Sequence, residues 1–345
     1  MKTMTLGKTG LTVSRVGIGG IPIQRPLEDD AVRVIQHALD LGITFIDTAI
    51  AYGVSEGRIG KALAGRRQQV ILTTKTPATD KATALLHLDY SLRRLNTDYL
   101  DIWQIHNISD DERYDQVLAP GGFLEAAQEA EQAGKIRYAG MSSHSLDVSL
   151  KAAASGHFDT IQYPLNFIST EAVDTLIPLA KEHDVGFIAM KPFAGGHIRD
   201  AGLAMKYLLQ FPTALPDPGI ETIEDIDQIV AIVESGDHSL SSQEWSRIEK
   251  IRSDLGTSFC RQCGYCMPCP QGVQIPMVMI TRIMWKLWPK ELFVDPEGWF
   301  VQGVKTAENC TKCGECESKC PYKLHIRDAI TDNWEFYKHV TADQI

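Results

Sequence analysis

Four side chains able to transfer protons follow three successive apolar segments of this chain. Asp47 ends one segment and Tyr52 lies five residues further on, while Lys75 ends the second segment and His106 the third. A tyrosine is a weak acid with a pKa of about 10, which a nearby lysine cation lowers by favouring the phenolate. An aspartate would orient that lysine, and a histidine could donate a hydrogen bond to a substrate oxygen. Together they predict proton delivery to a carbonyl that receives a hydride.

The eight cysteines fall in two short motifs near the C-terminus. The first motif has the spacing C-x2-C-x2-C-x2-C-P and the second C-x2-C-x2-C-x3-C-P. The ligand candidates are Cys260, Cys263, Cys266, Cys269, Cys310, Cys313, Cys316 and Cys320. The second spacing is that of bacterial ferredoxins with two [4Fe–4S] clusters, and the first is one residue shorter before its last cysteine. Two structural zinc sites are the alternative, although such sites usually pair two separated C-x2-C knuckles.

The resemblance to ferredoxins implies a crossed ligand set. In those proteins three close cysteines hold one cluster, and the fourth, before proline, reaches the other cluster. The first cluster is then assigned to Cys260, Cys263, Cys266 and Cys320. The second cluster is assigned to Cys269, Cys310, Cys313 and Cys316.

Length and charge limit the functional classes. The chain has 345 residues, 44% hydrophobic content and a net charge of -10. This predicts one large and one small domain and argues against partners such as nucleic acid or an anionic membrane. The N-terminus has no continuous apolar stretch of a signal peptide, and no segment reaches the roughly 18 apolar residues of a membrane span. We therefore expect a cytoplasmic protein, where reduced thiols favour metal binding over disulfides.

The elements that must position these residues alternate between strand and helix. Eight strand–helix units follow one another in about 235 residues, which favours a closed (β/α)8 barrel over an open doubly wound sheet. Composition changes at Gly256, after which the chain is rich in Cys, Pro and Gly. The predicted fold is α/β, with a (β/α)8 TIM barrel in residues 1–256 and a small ferredoxin-like α-helical iron–sulfur domain in residues 257–345. Asp47, Tyr52, Lys75 and His106 would lie at the carboxyl ends of the strands, where such barrels place their active sites.

Four segments resemble the aldo-keto reductase family: FIDTAIAYGVSEGRIGKAL, VILTTK, SLRRLNTDYLDIWQIH and GKIRYAGMSSH. The resemblance covers about residues 1–235, and GYCMPCPQGVQIP is similar to the ferredoxin-like domain of some relatives. It implies a (β/α)8 barrel in which NADH or NADPH donates the hydride. It also implies a catalytic tetrad of Asp47, Tyr52, Lys75 and His106, with Tyr52 as general acid and base.

The same resemblance implies cofactor contacts and reveals two departures. Gln162 matches the family's contact to the nicotinamide amide, Ser142 lies where the family has a strand-end serine, and Gly219 belongs to the cofactor loop after the last strand. The family often has asparagine after that serine, where this chain has Ser143. A tyrosine that commonly stacks on the nicotinamide is replaced by Met190.

The cofactor loop is acidic. Many relatives place Lys, Ser or Arg there to hold the 2′-phosphate of NADP, whereas this chain has Glu221, Glu224 and Asp225. Carboxylates repel a phosphate, so we predict a preference for NADH or weak nicotinamide binding. The backbone amides at the start of the helix over residues 223–234 could still receive a pyrophosphate.

These features predict an oxidoreductase that interconverts a carbonyl and an alcohol and exchanges electrons through two [4Fe–4S] clusters with a partner such as ferredoxin. The first alternative is an electron-transfer or redox-sensing protein on a barrel scaffold with weak or no nicotinamide use. The second is an ordinary carbonyl reductase whose clusters only brace the C-terminal domain. Coupling would require the hydride's electron pair to be split, because each cluster passes one electron, and the chain has no flavin-binding motif.

Overall fold

The computed structural model describes residues 1–256 and 258–342. The chain forms two compact units, Met1–Ile248 and a second unit that begins at Glu249. The helix Ser242–Leu255 contains this division. The domain boundary near residue 256 stays a prediction.

The first unit is a barrel of eight parallel strands, which are neighbours in space in the order of the chain. An antiparallel hairpin of β1 (Thr3–Thr5) and β2 (Thr12–Ser14) precedes them, as the sequence predicted. The barrel strands are β3 (Ile18–Gly19), β4 (Phe45–Asp47), β5 (Ile71–Thr76), β6 (Leu100–Ile105), β7 (Ile136–Ser142), β8 (Thr160–Pro164), β9 (Gly186–Met190) and β10 (Ala214–Pro216). Hydrogen bonds from Gly17 N to Pro216 O and from Gly19 N to Pro218 O join the first strand to the last. The predicted barrel is confirmed.

Helices connect the strands and cover the barrel. They are α1 (Glu28–Asp40), α2 (Ser55–Ala62), α3 (Lys81–Leu95), α4 (Asp111–Leu118), α5 (Phe123–Gln132), α6 (Leu146–Ala154), α7 (Leu176–Glu182), α8 (Ala201–Leu209), α9 (Ile223–Glu234) and α10 (Ser242–Leu255). The sequence predicted a helix over residues 170–183, but α7 begins only at Leu176. Pro178 lacks an N–H and fits the first turn of a helix rather than its interior, so a longer helix is disfavoured. Helix α4 lies between β6 and α5.

The hairpin packs against the amino-terminal end of the barrel. Leu6, Leu11 and Val13 join a buried cluster with barrel residues that include Phe45 and Leu215. A Cβ on Gly186, the first residue of β9, would lie 2.7 Å from Leu6 Cγ. The opposite end, where the strands finish, is thereby left for the chemistry.

The second unit is helical. Its helices are α11 (Ile275–Met279), α12 (Thr281–Leu287), α13 (Trp299–Lys305), α14 (Glu315–Lys319) and α15 (Ile326–Thr341). The sequence predicted one helix over residues 275–288, whereas the structure divides it at Ile280. Helix α15 places Ile326 and Ile330 in one small core and Tyr337 in another. Across the ranges that the structure describes, every helix is too short or too polar to cross a lipid bilayer.

Candidate functional site

A buried ion pair lies at the carboxyl end of the barrel. Asp47 ends β4 and Lys75 lies near the end of the neighbouring strand β5. Lys75 Nζ is 2.5 Å from Asp47 Oδ2 and donates a second hydrogen bond to Thr48 O at 2.8 Å. Both side chains are almost fully buried. The contact expected from neighbouring strand ends is therefore present.

Tyr52 and His106 complete the group of four. The loop after β4 places the Tyr52 ring centre 5.2 Å from Lys75 Nζ. The Tyr52 and His106 rings meet edge to face, with their centres 5.7 Å apart. His106 follows β6 directly, and its backbone N–H donates to Thr76 O. The structure thus brings all four predicted residues together, from three strand ends and one loop.

Burial decides the protonation of Tyr52. It raises the pKa of Tyr52 to about 12, with smaller upward contributions from the Asp47 and Asp217 carboxylates, while Lys75 acts in the opposite direction. The lysine therefore has the predicted sign, but desolvation outweighs it. The phenol is protonated at neutral pH and can donate a proton.

His106 is a neutral hydrogen-bond donor. Burial lowers its pKa to about 3, and the Lys75, Arg113 and Lys191 cations add to that effect. A neutral imidazole keeps one N–H, which can donate to an oxygen without adding a second charge beside Lys75.

Two glutamines donate hydrogen bonds to Asp47, and one of them, Gln162, also joins it to a second carboxyl group that was not predicted, Asp217. Gln104 Nε2 donates to Asp47 Oδ1 at 3.3 Å. Gln162 Nε2 donates to Asp47 Oδ2 at 3.1 Å and to Asp217 Oδ2 at 2.6 Å. Asp217 is buried and directly follows β10. The rule that identified Asp47, a polar residue at a strand end, could have identified Asp217 as well.

Ser142 and Gly219 lie at the same end of the barrel. Ser142 Oγ is buried and accepts a hydrogen bond from Asn107 N at 2.9 Å, which ties β7 to the loop after β6. Gly219 forms a parallel bridge with Gly19, and a Cβ added there would lie 2.7 Å from Pro22 Cγ. Glycine is required at this point by the close approach of two segments.

In the acidic loop before α9, Glu221 forms an ion pair and Asp225 caps the helix. Arg25 donates two hydrogen bonds of 2.7 Å to the Glu221 carboxylate. Asp225 Oδ2 accepts from the N–H groups of Glu221 and Thr222, and Thr222 Oγ1 accepts from the N–H of Asp225. This capping box occupies amides that lie around the start of the helix.

The cysteines of the second unit line two small cavities. The wall of one cavity includes Cys260, Cys263, Cys266 and Cys320. The wall of the other includes Cys269, Cys310, Cys313 and Cys316, and Cys266 reaches it as well. The last cysteine of each motif therefore lies with the first three cysteines of the other motif.

The two motifs repeat an unusual backbone conformation. Gln262 and Gly264 have φ values of 61° and 83°, and Lys312 and Gly314 have φ values of 58° and 88°. In each motif these left-handed residues flank the second cysteine. Left-handed residues in such loops turn backbone N–H groups into concavities that bind anions, including iron–sulfur clusters.

The buried cysteine thiols require a nearby positive charge in order to ionise. Burial, together with neighbouring Cys260 and Cys263, raises the pKa of Cys266 to about 12. Four thiolates in one cavity would repel each other without positive metal charge. Within residues 1–256 and 258–342, no three His, Cys, Asp or Glu side chains converge on a site for a single metal ion. The spacing of the two motifs, each ending in Cys-Pro, favours iron–sulfur clusters over zinc.

Comparison with known proteins matches both units. The model of the aldo/keto reductase family matches residues 15–208. The chain belongs to the aldo/keto reductase family. The model of the 4Fe-4S dicluster domain matches residues 259–325. The chain is thus an oxidoreductase-family barrel joined to an iron–sulfur domain.

Individual relatives agree with this assignment. The chain is 34% identical over 205 residues to aldo-keto reductase YhdN of Bacillus subtilis, covering 54% of this chain and only 60% of that protein. It is 33% identical over 216 residues to L-galactose dehydrogenase of Arabidopsis thaliana, covering 57% of this chain and 67% of that protein.

Solved structures show the same barrel. The holo form of aldo-keto reductase AKR11C1 from Bacillus halodurans matches with a TM-score of 0.63 and 28% identity, over 73% of this chain and 96% of that chain. The aldo/keto reductase of Klebsiella pneumoniae in complex with NADP and acetate matches with a TM-score of 0.61 and 25% identity, over 73% of this chain and 95% of that chain.

Proposed function

We propose that this protein interconverts a carbonyl and an alcohol, with Tyr52 as general acid and base, and that two [4Fe–4S] clusters couple this reaction to electron transfer. The observation that carries the proposal is the buried arrangement of Tyr52 between the Lys75–Asp47 ion pair and the neutral His106 ring. In the reductive direction the carbonyl carbon gains a hydride and Tyr52 gives its phenolic proton to the oxygen.

Each residue of the tetrad has a separate task. Lys75 stabilises the phenolate that remains after proton transfer, because its ammonium group is fixed beside the ring. Asp47 keeps Lys75 charged in a site that water does not reach. His106 offers an N–H to the substrate oxygen and thereby orients the carbonyl for attack.

The residues around the tetrad fit a nicotinamide cofactor, which would supply the hydride. Gln162 and Ser142 present buried polar groups at the strand ends, and Gly219 lies at the same end of the barrel. The Klebsiella relative holds NADP. In this chain the guanidinium of Arg25 is already bound by the Glu221 carboxylate. We therefore propose a preference for NADH over NADPH.

The cysteine cavities support two clusters with the crossed ligand set, Cys260, Cys263, Cys266 and Cys320 for one and Cys269, Cys310, Cys313 and Cys316 for the other. Such clusters supply one-electron transfer when bound. A small-molecule carbonyl or alcohol is then the substrate, and a ferredoxin or another redox protein is the electron partner.

An anaerobic titration tests the coupling. The reconstituted protein is mixed with NADH or NADPH, with and without a test aldehyde, and the absorbance of nicotinamide and clusters is followed together. Without aldehyde, our proposal expects one NADH to reduce two oxidised clusters by one electron each and to release a proton, so that the cluster absorbance bleaches as nicotinamide is oxidised. Aldehyde reduction with fully oxidised clusters would refute the coupling and favour clusters that only brace the domain.

Failure of both nicotinamides to bind would refute the proposed reaction and favour the second candidate, an electron-transfer or redox-sensing protein on a barrel scaffold. The feature that favours this candidate is the acidic loop, where Glu221 and Asp225 are already engaged in internal contacts. Reduction of the clusters by dithionite under the same conditions shows that the loaded protein is competent.

A further inference from the structure

The buried carboxyl group of Asp217 lies beside the tetrad and takes no part in the proposed proton transfer. Asp217 is 4% exposed and follows the last barrel strand. Its Oδ2 accepts the 2.6 Å hydrogen bond from Gln162, and its backbone N–H donates to Ala189 O at 3.2 Å. The side chain and the backbone together fix this carboxyl group at the active end of the barrel.

The amide of Gln162 can take only one favourable orientation. Its nitrogen lies between Asp47 Oδ2 and Asp217 Oδ2, and an amide oxygen in that position would face two acceptors. The amide oxygen Oε1 therefore points elsewhere. Within the part of the chain that the structure describes, Gln162 Oε1 and Asp217 Oδ1 are buried atoms without a hydrogen-bond partner. Such atoms are costly unless a ligand or water satisfies them.

The charges around Asp217 do not balance if it is ionised. The titratable groups that act on Asp217 are Asp47 from β4, Tyr52 from the loop after β4 and Lys75 from β5. Lys75 already forms a 2.5 Å ion pair with Asp47. A second buried carboxylate would lack a cation of its own, which is unfavourable, and the group neutralises by binding a proton. Burial and the Asp47 carboxylate raise the pKa of Asp217 well above its usual range.

We propose that Asp217 is a positioning residue that acts as a neutral carboxylic acid and holds the Gln162 amide with its oxygen turned toward the ligand. Gln162 then offers an acceptor, and the free O–H of Asp217 offers a donor. A primary carboxamide complements this pair, because it can donate an N–H to Gln162 and accept a hydrogen bond from Asp217 at its carbonyl oxygen. This inference rests on the proposed function, because a nicotinamide ring carries such a group.

The arrangement makes ligand binding depend on pH. Ionisation of Asp217 removes its O–H donor and adds an unpaired charge beside the Asp47 carboxylate. If only the protonated form binds, the dissociation constant rises by about tenfold for each pH unit above the pKa of Asp217. Asp217→Asn keeps a neutral donor at every pH and should abolish this dependence.

The test combines nicotinamide binding with infrared spectroscopy on the full protein. NADH and NADPH binding is measured by fluorescence over a range of pH, and difference spectra follow the C=O stretch of a protonated carboxylic acid. The wild type and the control Asp98→Asn, which changes an exposed aspartate, should show a carboxylic acid band that is lost as binding weakens. Asp217→Asn should lack the band and bind independently of pH.

A carboxylic acid band that persists unchanged in Asp217→Asn, or an unchanged pH dependence in that variant, would overturn the inference. If Asp217→Asn does not fold, Gln162→Ala decides instead. The band should then shift, because the carboxyl group loses its 2.6 Å hydrogen bond, and an unshifted band would refute the inference. If the wild-type protein binds neither NADH nor NADPH at any pH, the proposed function is refuted. The infrared band separately reports the protonation of Asp217.

Discussion

The two candidate sites of this protein are built over very different distances in sequence. In the barrel, Lys75 and Asp47 are 28 residues apart, and Gln162 lies 115 residues from Asp47 and 55 from Asp217. In the second unit, each run of four cysteines spans at most eleven residues. The barrel site is held by strand register and burial. The cysteine sites are held by local loops, with the last cysteine of each motif lying at the cavity of the other motif.

This difference explains what could be predicted from the sequence. The tetrad was recognisable because Asp47, Lys75 and His106 each end an apolar segment, and the cysteines because their spacing is local. Asp217 was missed because Pro-Asp-Pro-Gly is typical of a loop, and only the barrel shows that Gln162 lies beside it. The lowering effect of Lys75 on the pKa of Tyr52 was predicted, but the larger opposing effect of burial was not, because burial depends on packing that the local sequence does not show.

The second unit shows the opposite limit. The ligand spacing was evident, but the left-handed conformations of Gln262 and Lys312 were not, because neither residue is a glycine. The division between α11 and α12 at Ile280 was also not predicted, because neither glycine nor proline stands at that point.

If the sites are built independently, the change with the largest effect should be confined to the second unit. Cys263→Ala removes one ligand, so we expect loss of one cluster and about half of the iron. Ser318→Ala, an exposed position between two cysteines, is the control and should keep all iron. Iron analysis and cluster absorbance measure both. Full iron content in Cys263→Ala would exclude its ligand role.

Removal of the buried lysine should affect the barrel alone. Lys75→Met leaves Asp47 buried without a cation, and we expect the free energy of unfolding to fall by about 3–5 kcal/mol. Lys81→Met breaks a partly exposed pair with Glu129 and should change the free energy of unfolding very little. Urea denaturation measures both variants. Equal stability of the two would contradict a site that is held by burial.

His106 should make the barrel less stable in acid. Its pKa falls from 6.5 to about 3 on folding, so the unfolded chain binds a proton first. Its contribution is complete above pH 6.5 and is lost as the pH falls toward 3. His106→Gln should remove up to about 2 kcal/mol of this loss near pH 5. His157→Gln, at an exposed position, should leave the profile unchanged, and an equally steep profile in His106→Gln would refute the assignment.

The smallest effect concerns cofactor choice. Glu221→Gln removes one carboxylate charge from the loop and weakens the ion pair with the planar guanidinium of Arg25, a group that suits a phosphate. We expect the affinity for NADPH relative to NADH to rise roughly tenfold, which is about 1.4 kcal/mol. Asp227→Asn, on the same helix α9, serves as the control. An unchanged ratio in Glu221→Gln would show that this loop does not select the cofactor.

The central claim is that Tyr52 supplies the proton in a site separate from the clusters. The most direct measurement compares carbonyl turnover and iron content in Tyr52→Phe and in Tyr90→Phe, which removes the same hydroxyl from an exposed helix position. We predict that Tyr52→Phe loses about 10²–10⁴-fold in turnover and keeps all of its iron, while Tyr90→Phe retains both. Turnover of Tyr52→Phe at the wild-type rate would contradict the account.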